Sequence, residues 1–232
     1  MPKFAIGIQA RSSSKRFPRK TLQNLFGIPL IAWVLYGCKK TGLPVWVLTS
    51  DDTSDDDLAE VSALHGARLF RGSLNNVFYR YKEFAEAYGF SHVIRINGDS
   101  PLIASDVINH AVEVSSVHET ADLVTNVFPR TFPKGQSVEI IRSVALKELF
   151  ESRMTENNFE HVTSFFYDNY TNFHIANFTN NLDLSHINLC VDFPRDLHAM
   201  ERFLDENNIT TPSEVPAWAE LSRLVQEYKM EA

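Results

Sequence analysis

The sequence predicts an α/β fold built on a mainly parallel central sheet, and three observations carry that expectation. Apolar runs alternate with helical stretches through the first hundred residues, the rhythm of a parallel sheet covered by helices on both faces. These runs lack clean period-two alternation, as strands buried on both sides do. At 232 residues, with 44% hydrophobic and 12% aromatic side chains, the chain can bury a full core and fits one domain better than two.

Residues 4–10 (FAIGIQA) form a short apolar run without helical spacing, hence a buried strand. After a polar loop, residues 28–40 (IPLIAWVLYGCKK) suit a buried helix that stops near Gly42 and Pro44. Residues 45–51 (VWVLTSD) are a second strand. In 54–66, Leu58, Val61 and Leu64 share one helical stripe and Gly66 is a stop. Residues 67–72 (ARLFRG) are a third strand. The helix at 75–89 carries Val77, Tyr81, Phe84 and Tyr88 on one face, and 92–99 (HVIRINGD) runs from strand into turn.

The second half is less regular. A helix is expected over 104–119, strands over 123–128, 137–143, 173–179 and 187–192, and helices over 144–153 and 194–208. Pro194 opens the latter at its first turn. A final amphipathic helix carries Leu221, Leu224, Val225 and Tyr228. A strand-containing insertion over about 125–185 suits acceptor binding or a dimer surface.

Composition narrows the function. With 22 Lys+Arg against 29 Asp+Glu, the net charge is −7, which argues against a nucleic-acid or anionic-membrane binder. No apolar run reaches membrane-spanning length and no signal peptide is visible, so a cytoplasmic protein is expected. Cys38 and Cys190 lie in apolar runs and read as buried thiols in a reducing compartment.

Against this acidic background, residues 9–20 (QARSSSKRFPRK) gather Arg11, Lys15, Arg16, Arg19 and Lys20 directly after the first strand. Ligands of open α/β sheets bind beyond the carboxyl ends of strands, so the loop suits phosphate oxygens, with Arg as a two-oxygen fork and Lys as a point charge. No glycine occurs between Arg11 and Phe26. That excludes both the Walker A loop and the dinucleotide fingerprint. Asp99 and Asp192 fall at two further strand ends, where paired carboxylates can hold a Mg²⁺ that bridges phosphates. Asp196 reads as a helix-dipole residue. The acidic run at 51–57 (DDTSDDD) reads as a helix start with Ser54 as cap, and His92 and His174 as packing residues.

Taken in order, IQARSSSKRFPRKTL, FRGSLNNVFYRY, RINGDSPLI, TNVFPRTFPKGQSVEII, EHVTSFFYDN and LCVDFPRDL resemble the cytidylyltransferases that activate acidic sugars, closest to the spore coat polysaccharide branch. The resemblance implies one nucleotidyltransferase domain of Rossmann-like type over 1–232, usually a homodimer, that joins CMP from CTP to a small anionic acceptor and releases pyrophosphate. It places Arg11 and Lys20 on the triphosphate with Ser13, Ser14 and Arg16. Ala10, Arg71, Asn97 and Gly98 would join the nucleotide site. Asp99 and Asp192 would hold Mg²⁺, and Lys134, Gln136, Glu139 and His161 would face the acceptor. Catalysis would rest on Arg11, Lys20 and Asp99. Residue types alone leave open another nucleoside triphosphate, a sugar-phosphate guanylyl transfer, or a non-catalytic nucleotide-binding module.

Overall fold

A computed structural model describes residues 3–14, 16–149 and 154–228. The chain runs β1 (Phe4–Gln9), a small hairpin of β2 (Asn24–Leu25) and β3 (Ile28–Pro29), α1 (Leu30–Lys39), β4 (Val45–Ser50), α2 (Asp56–Leu64), β5 (Arg68–Gly72), α3 (Val77–Tyr88) and β6 (His92–Asn97). There follow α4 (Ser105–Val117), β7 (Leu123–Thr125), β8 (Glu139–Arg142), α5 (Ser143–Glu148), α6 (Glu156–Glu160), α7 (Ser164–Asp168), β9 (Ile175–Asn177), α8 (Pro194–Glu206) and α9 (Trp218–Tyr228).

Seven strands form one sheet in the order β5-β4-β1-β6-β8-β7-β9. β5, β4, β1 and β6 are mutually parallel, β8 runs against both of its neighbours, and β9 is parallel to β7. The missing period-two contrast has a simple cause. Ile6 and Ile8 face one core, Ala5 the other; Val45 and Val47 oppose Trp46 and Leu48 in the same way. Both faces are apolar, so alternate positions read alike in sequence. Truncating one such side chain, for instance Ile6→Ala, costs about 2–5 kcal/mol by transfer and cavity terms.

The chain leaves β1 toward β4 on one side and returns through α3 to β6 on the other. A crevice therefore opens beyond Gln9 and Asn97, which are register partners at the carboxyl ends of β1 and β6. Gly98 keeps it narrow: a Cβ there would meet the Ala10 Cβ at 2.9 Å and the Gln9 carbonyl oxygen at 3.1 Å.

Two expectations need correction. Residues 187–192 are not a strand; they make a single bridge between Asn188 and Lys134. Their backbone groups are spent on a bend, with Leu189 N donating to Lys134 O at 2.8 Å and Val191 N to Asp99 O at 2.9 Å. Within 125–185, β8 and β9 join the central sheet, and α5, α6 and α7 lie in the same stretch. In the acidic run, Asp52 rather than Ser54 caps, accepting from Ser54 N at 2.9 Å. His92 packs as expected, stacked on Phe4 with centroids 4.8 Å apart. Among the described residues no helix is long and apolar enough to cross a membrane.

Candidate active site

A cleft of about 350 Å³ lies in the crevice between β1 and β6. Six cationic side chains line it (Arg11, Arg16, Lys20, Arg95, Arg130, Lys134) against three carboxylates (Asp99, Glu160, Asp192). On a chain of net charge −7, that reversal makes the cleft electrostatically suited to an anion.

The basic loop is shaped without glycine by a buried carboxylate. Asp55 is fully buried and its Oδ1 accepts from Ser12 N at 2.6 Å. Its Oδ2 accepts from Thr49 Oγ1 at 2.9 Å, from Ser50 N at 3.1 Å and from Ser50 Oγ. Burial pushes this carboxyl's pKa up, but the bonds from Ser50, Ser12 and Thr49 outweigh it and hold the pKa below its ordinary value. The Ser12 carbonyl in turn accepts from Ser14 N and Arg19 N, each at 2.9 Å, which closes the loop. A short 3₁₀ turn, Lys20–Leu22, then turns the chain back beside the cleft.

Lys20 sits at the centre of the charges. Its ammonium donates to Asp99 Oδ2 at 2.6 Å and Asp192 Oδ1 at 2.9 Å, and its side chain is 13% exposed. Burial would lower its pKa; Asp99 and Asp192 raise it further than burial lowers it, so the group stays charged. Arg16 Nη2 reaches Asp192 Oδ1 at 2.8 Å. Arg11 spans the cleft mouth to Glu160 with two bonds, 2.6 and 3.0 Å. Arg19 pairs with exposed Asp57 at 2.6 Å, away from the cleft lining.

Gly135 makes the Asp192 position possible. Its φ is +95°, and a Cβ would lie 2.8 Å from the Leu189 carbonyl carbon and oxygen. Only a side chain of hydrogen lets residues 187–191 pass so close. Asp196 then accepts from Asp192 N and Phe193 N, each at 2.8 Å, capping α8. Two carboxylates converging on one cation are hard oxygen donors of the kind Mg²⁺ takes together with phosphate oxygens and water. The residues present fit that ion.

A second lobe of about 300 Å³ adjoins the first and shares Arg95, Asn97, Arg130, Ser137 and His161 with it. Glu139 anchors its floor. It is 4% exposed and accepts from Arg95, from Thr163 Oγ1 at 2.7 Å and from Tyr167 OH at 2.6 Å. Burial raises its pKa, but Arg95 and those two hydroxyls lower it more, so the carboxylate stays ionised. Arg130 behaves differently: Nη1 donates to Ser137 Oγ at 3.0 Å and Pro133 O at 3.4 Å, and no carboxylate pairs with it among the described residues.

Of the residues singled out in the sequence, Ala10, Arg11, Arg16, Lys20, Asn97, Gly98, Asp99, Lys134, His161 and Asp192 all line the first lobe, and Glu139 lines the second. Others are elsewhere. Gln136 is fully buried, its Oε1 accepting from Ala104 N and its Nε2 donating to Leu102 O. It braces the loop after β6 and cannot face an acceptor. Arg71 is turned to the β4–α2 connection, bonded to Ser50 O, Asp52 O and Asp56. Ser13 and Ser14 do not line the cleft; the Ser14 hydroxyl accepts from Phe17 N. Cys190 is half-buried in the cleft wall rather than in the core, while Cys38 is buried; both are free thiols. Asp55, Glu160, Arg95 and Arg130 are the residues that sequence reasoning missed. Their spacing to the loop, such as 149 positions from Arg11 to Glu160, carries no local signal.

The spore coat polysaccharide biosynthesis protein SpsF of Bacillus subtilis is 27% identical over 163 residues, 67% of this chain and 66% of that protein. The 3-deoxy-manno-octulosonate cytidylyltransferase of Bdellovibrio bacteriovorus is 28% identical over 137 residues, 59% of this chain and 56% of that enzyme. The matched segments thus span less than two thirds of these relatives' own lengths. A solved cytidylyltransferase from Leptospira borgpetersenii superposes with a TM-score of 0.91 at 26% identity, covering 99% of this chain and 96% of that one. The cytidylyltransferase family model matches residues 5–225, and with the sheet, the cleft and the charged loop in place, the chain belongs to the cytidylyltransferase family.

Proposed function

We propose that the cleft transfers CMP from CTP to a small anionic acceptor, an acidic sugar or sugar phosphate, and releases pyrophosphate. The observation that carries it is the convergence of Asp99 and Asp192 on Lys20, beside a cation-rich loop at the β1 carboxyl end. The acceptor oxygen attacks the α-phosphorus in line. The protein's work is positioning and charge neutralisation. Arg11, Arg16 and Lys20 take the β- and γ-phosphate oxygens and stabilise the charge that gathers on departing pyrophosphate. Asp99 and Asp192 would hold Mg²⁺, which supplies neutralisation of the phosphate charge when bound. An acceptor oxygen that is already ionised needs no base.

The second lobe suits the acceptor. Arg130, bonded to neutral groups, and exposed Lys134 offer charge to an acidic group there, with His161 between the two lobes. The family resemblance extends the proposal to a homodimer acting in the cytoplasm. The test is pyrophosphate release with CTP, GTP, UTP and ATP against sugar acids and sugar phosphates, with and without Mg²⁺. Release that requires Mg²⁺ and CTP supports the proposal. Release with another nucleotide moves the base specificity, and no release with any of them refutes transfer at this site.

A further inference from the structure

Glu160 takes no part in the reaction just described, yet its carboxylate stands in the wall of the cleft and fills the fork of Arg11. Two bonds of 2.6 and 3.0 Å occupy the guanidinium as a pair of phosphate oxygens would. The two side chains are 34% and 33% exposed, and a pair that wet contributes only about 0–1 kcal/mol to folding.

Nor does the pair hold its segment in place. α6 is capped by Thr155 and Asn158, and buried Asn158 donates to Ser164 Oγ at 2.8 Å and Asp168 Oδ2 at 3.0 Å. Downstream, Val162 and Phe166 are fully buried and Thr163 donates to Glu139. The segment is tied down on both sides of Glu160 by contacts that do not involve Arg11. A carboxylate aimed at the loop's best phosphate fork therefore weakens anion binding without being needed for the fold.

We propose that Glu160 is an internal counter-anion. It holds Arg11 while the cleft is empty, yields it to the triphosphate, and takes it back as pyrophosphate leaves. This rests on reading Arg11 as a triphosphate ligand. The consequence is quantitative: when Arg11 is available only a fraction of the time, apparent polyphosphate affinity falls by that fraction. Triphosphate and pyrophosphate then both bind less tightly than the cations alone allow.

The test is calorimetric titration of the full-length protein with pyrophosphate in excess Mg²⁺. It uses the wild type, Glu160→Gln, Arg11→Ala and the double variant, with CTP titrated into the wild type alongside. Glu160→Gln should bind pyrophosphate about two- to fivefold more tightly than wild type. That gain should vanish in the Arg11→Ala background. Equal or weaker binding by Glu160→Gln overturns the inference. So does a gain of the same size without Arg11, since removing any negative charge would then explain it. If the wild type binds neither CTP nor pyrophosphate, the parent reading fails and takes this one with it. If CTP binds but the gain is missing, the counter-anion role alone is lost.

Discussion

Replacing Asp55 by Asn removes one charge and turns one acceptor into a donor, and the structure fixes what that does. Two backbone N–H groups lie on opposite oxygens of the carboxylate, Ser12 N on Oδ1 and Ser50 N on Oδ2. Whichever way the amide is turned, its NH₂ faces one of them. The hydroxyls of Thr49 and Ser50 can rotate to accept, but a backbone N–H cannot. The variant therefore loses a charge-assisted bond and leaves a buried donor unsatisfied, at a cost of about 2–4 kcal/mol. If the orphan is Ser12 N, the loop closed by the Ser12 carbonyl shifts, and misplaced phosphate ligands cost roughly tenfold or more in binding and up to about 10²-fold in rate. Urea unfolding at pH 7 reads the first effect, and titration with CTP in excess Mg²⁺ reads the second. Cytidine, which lacks phosphates, should bind both proteins alike. A variant within about 0.5 kcal/mol of wild type and with unaltered CTP affinity would refute the view that Asp55 shapes the loop.

Three further outcomes are expected. Gly135→Ala forces a Cβ against Leu189 at a φ of +95°; calorimetric unfolding should show a loss of about 2–4 kcal/mol, with turnover reduced because Asp192 moves, and a normal melting profile would contradict this. Glu139 has a folded pKa below its ordinary 4.5, so the folded chain gives up that proton at lower pH than the unfolded one. Its contribution is fully present above about pH 4.5 and is lost as pH falls through the depressed folded value. Glu139→Gln should accordingly flatten the acid limb of a stability–pH curve, and an unchanged limb would count against the buried pair with Arg95. Arg130→Ala should raise the acceptor KM while leaving CTP affinity intact; the reverse pattern would assign the second lobe to the nucleotide.

The first half of the fold was legible because β1 and β4 are buried on both faces and its helices have clear stops. Gly89, for example, ends α3 in the left-handed conformation. Strand direction in the second half was not: β7 and β9 have three residues each, too few for any period, and β8 runs antiparallel through pairings that only the folded sheet defines. Residues 187–192 look like a strand by hydrophobicity. Their neighbour is the bend at Lys134 and Gly135, so the apolar side chains pack while the backbone turns.

The basic loop was readable because a charge cluster after a buried strand has few structural uses, and Asp99 because it follows the end of β6; Asp192 was found although the strand expected before it is a bend. Asp55 was hidden among like residues in DDTSDDD, where burial of one carboxylate leaves no mark on composition. Gln136 misled for a different reason. The family resemblance alone placed it toward the acceptor, yet both ends of its amide are used by the backbone at Leu102 and Ala104.

The most direct test of the account is a structure of the full chain with CTP and Mg²⁺. There the triphosphate should lie against Arg11, Arg16 and Lys20, the metal ion between Asp99 and Asp192, and Lys20 off the carboxylates it holds at 2.6 and 2.9 Å. A triphosphate bound elsewhere, or one in this cleft with Asp99 and Asp192 still paired to Lys20 and without metal, would contradict it.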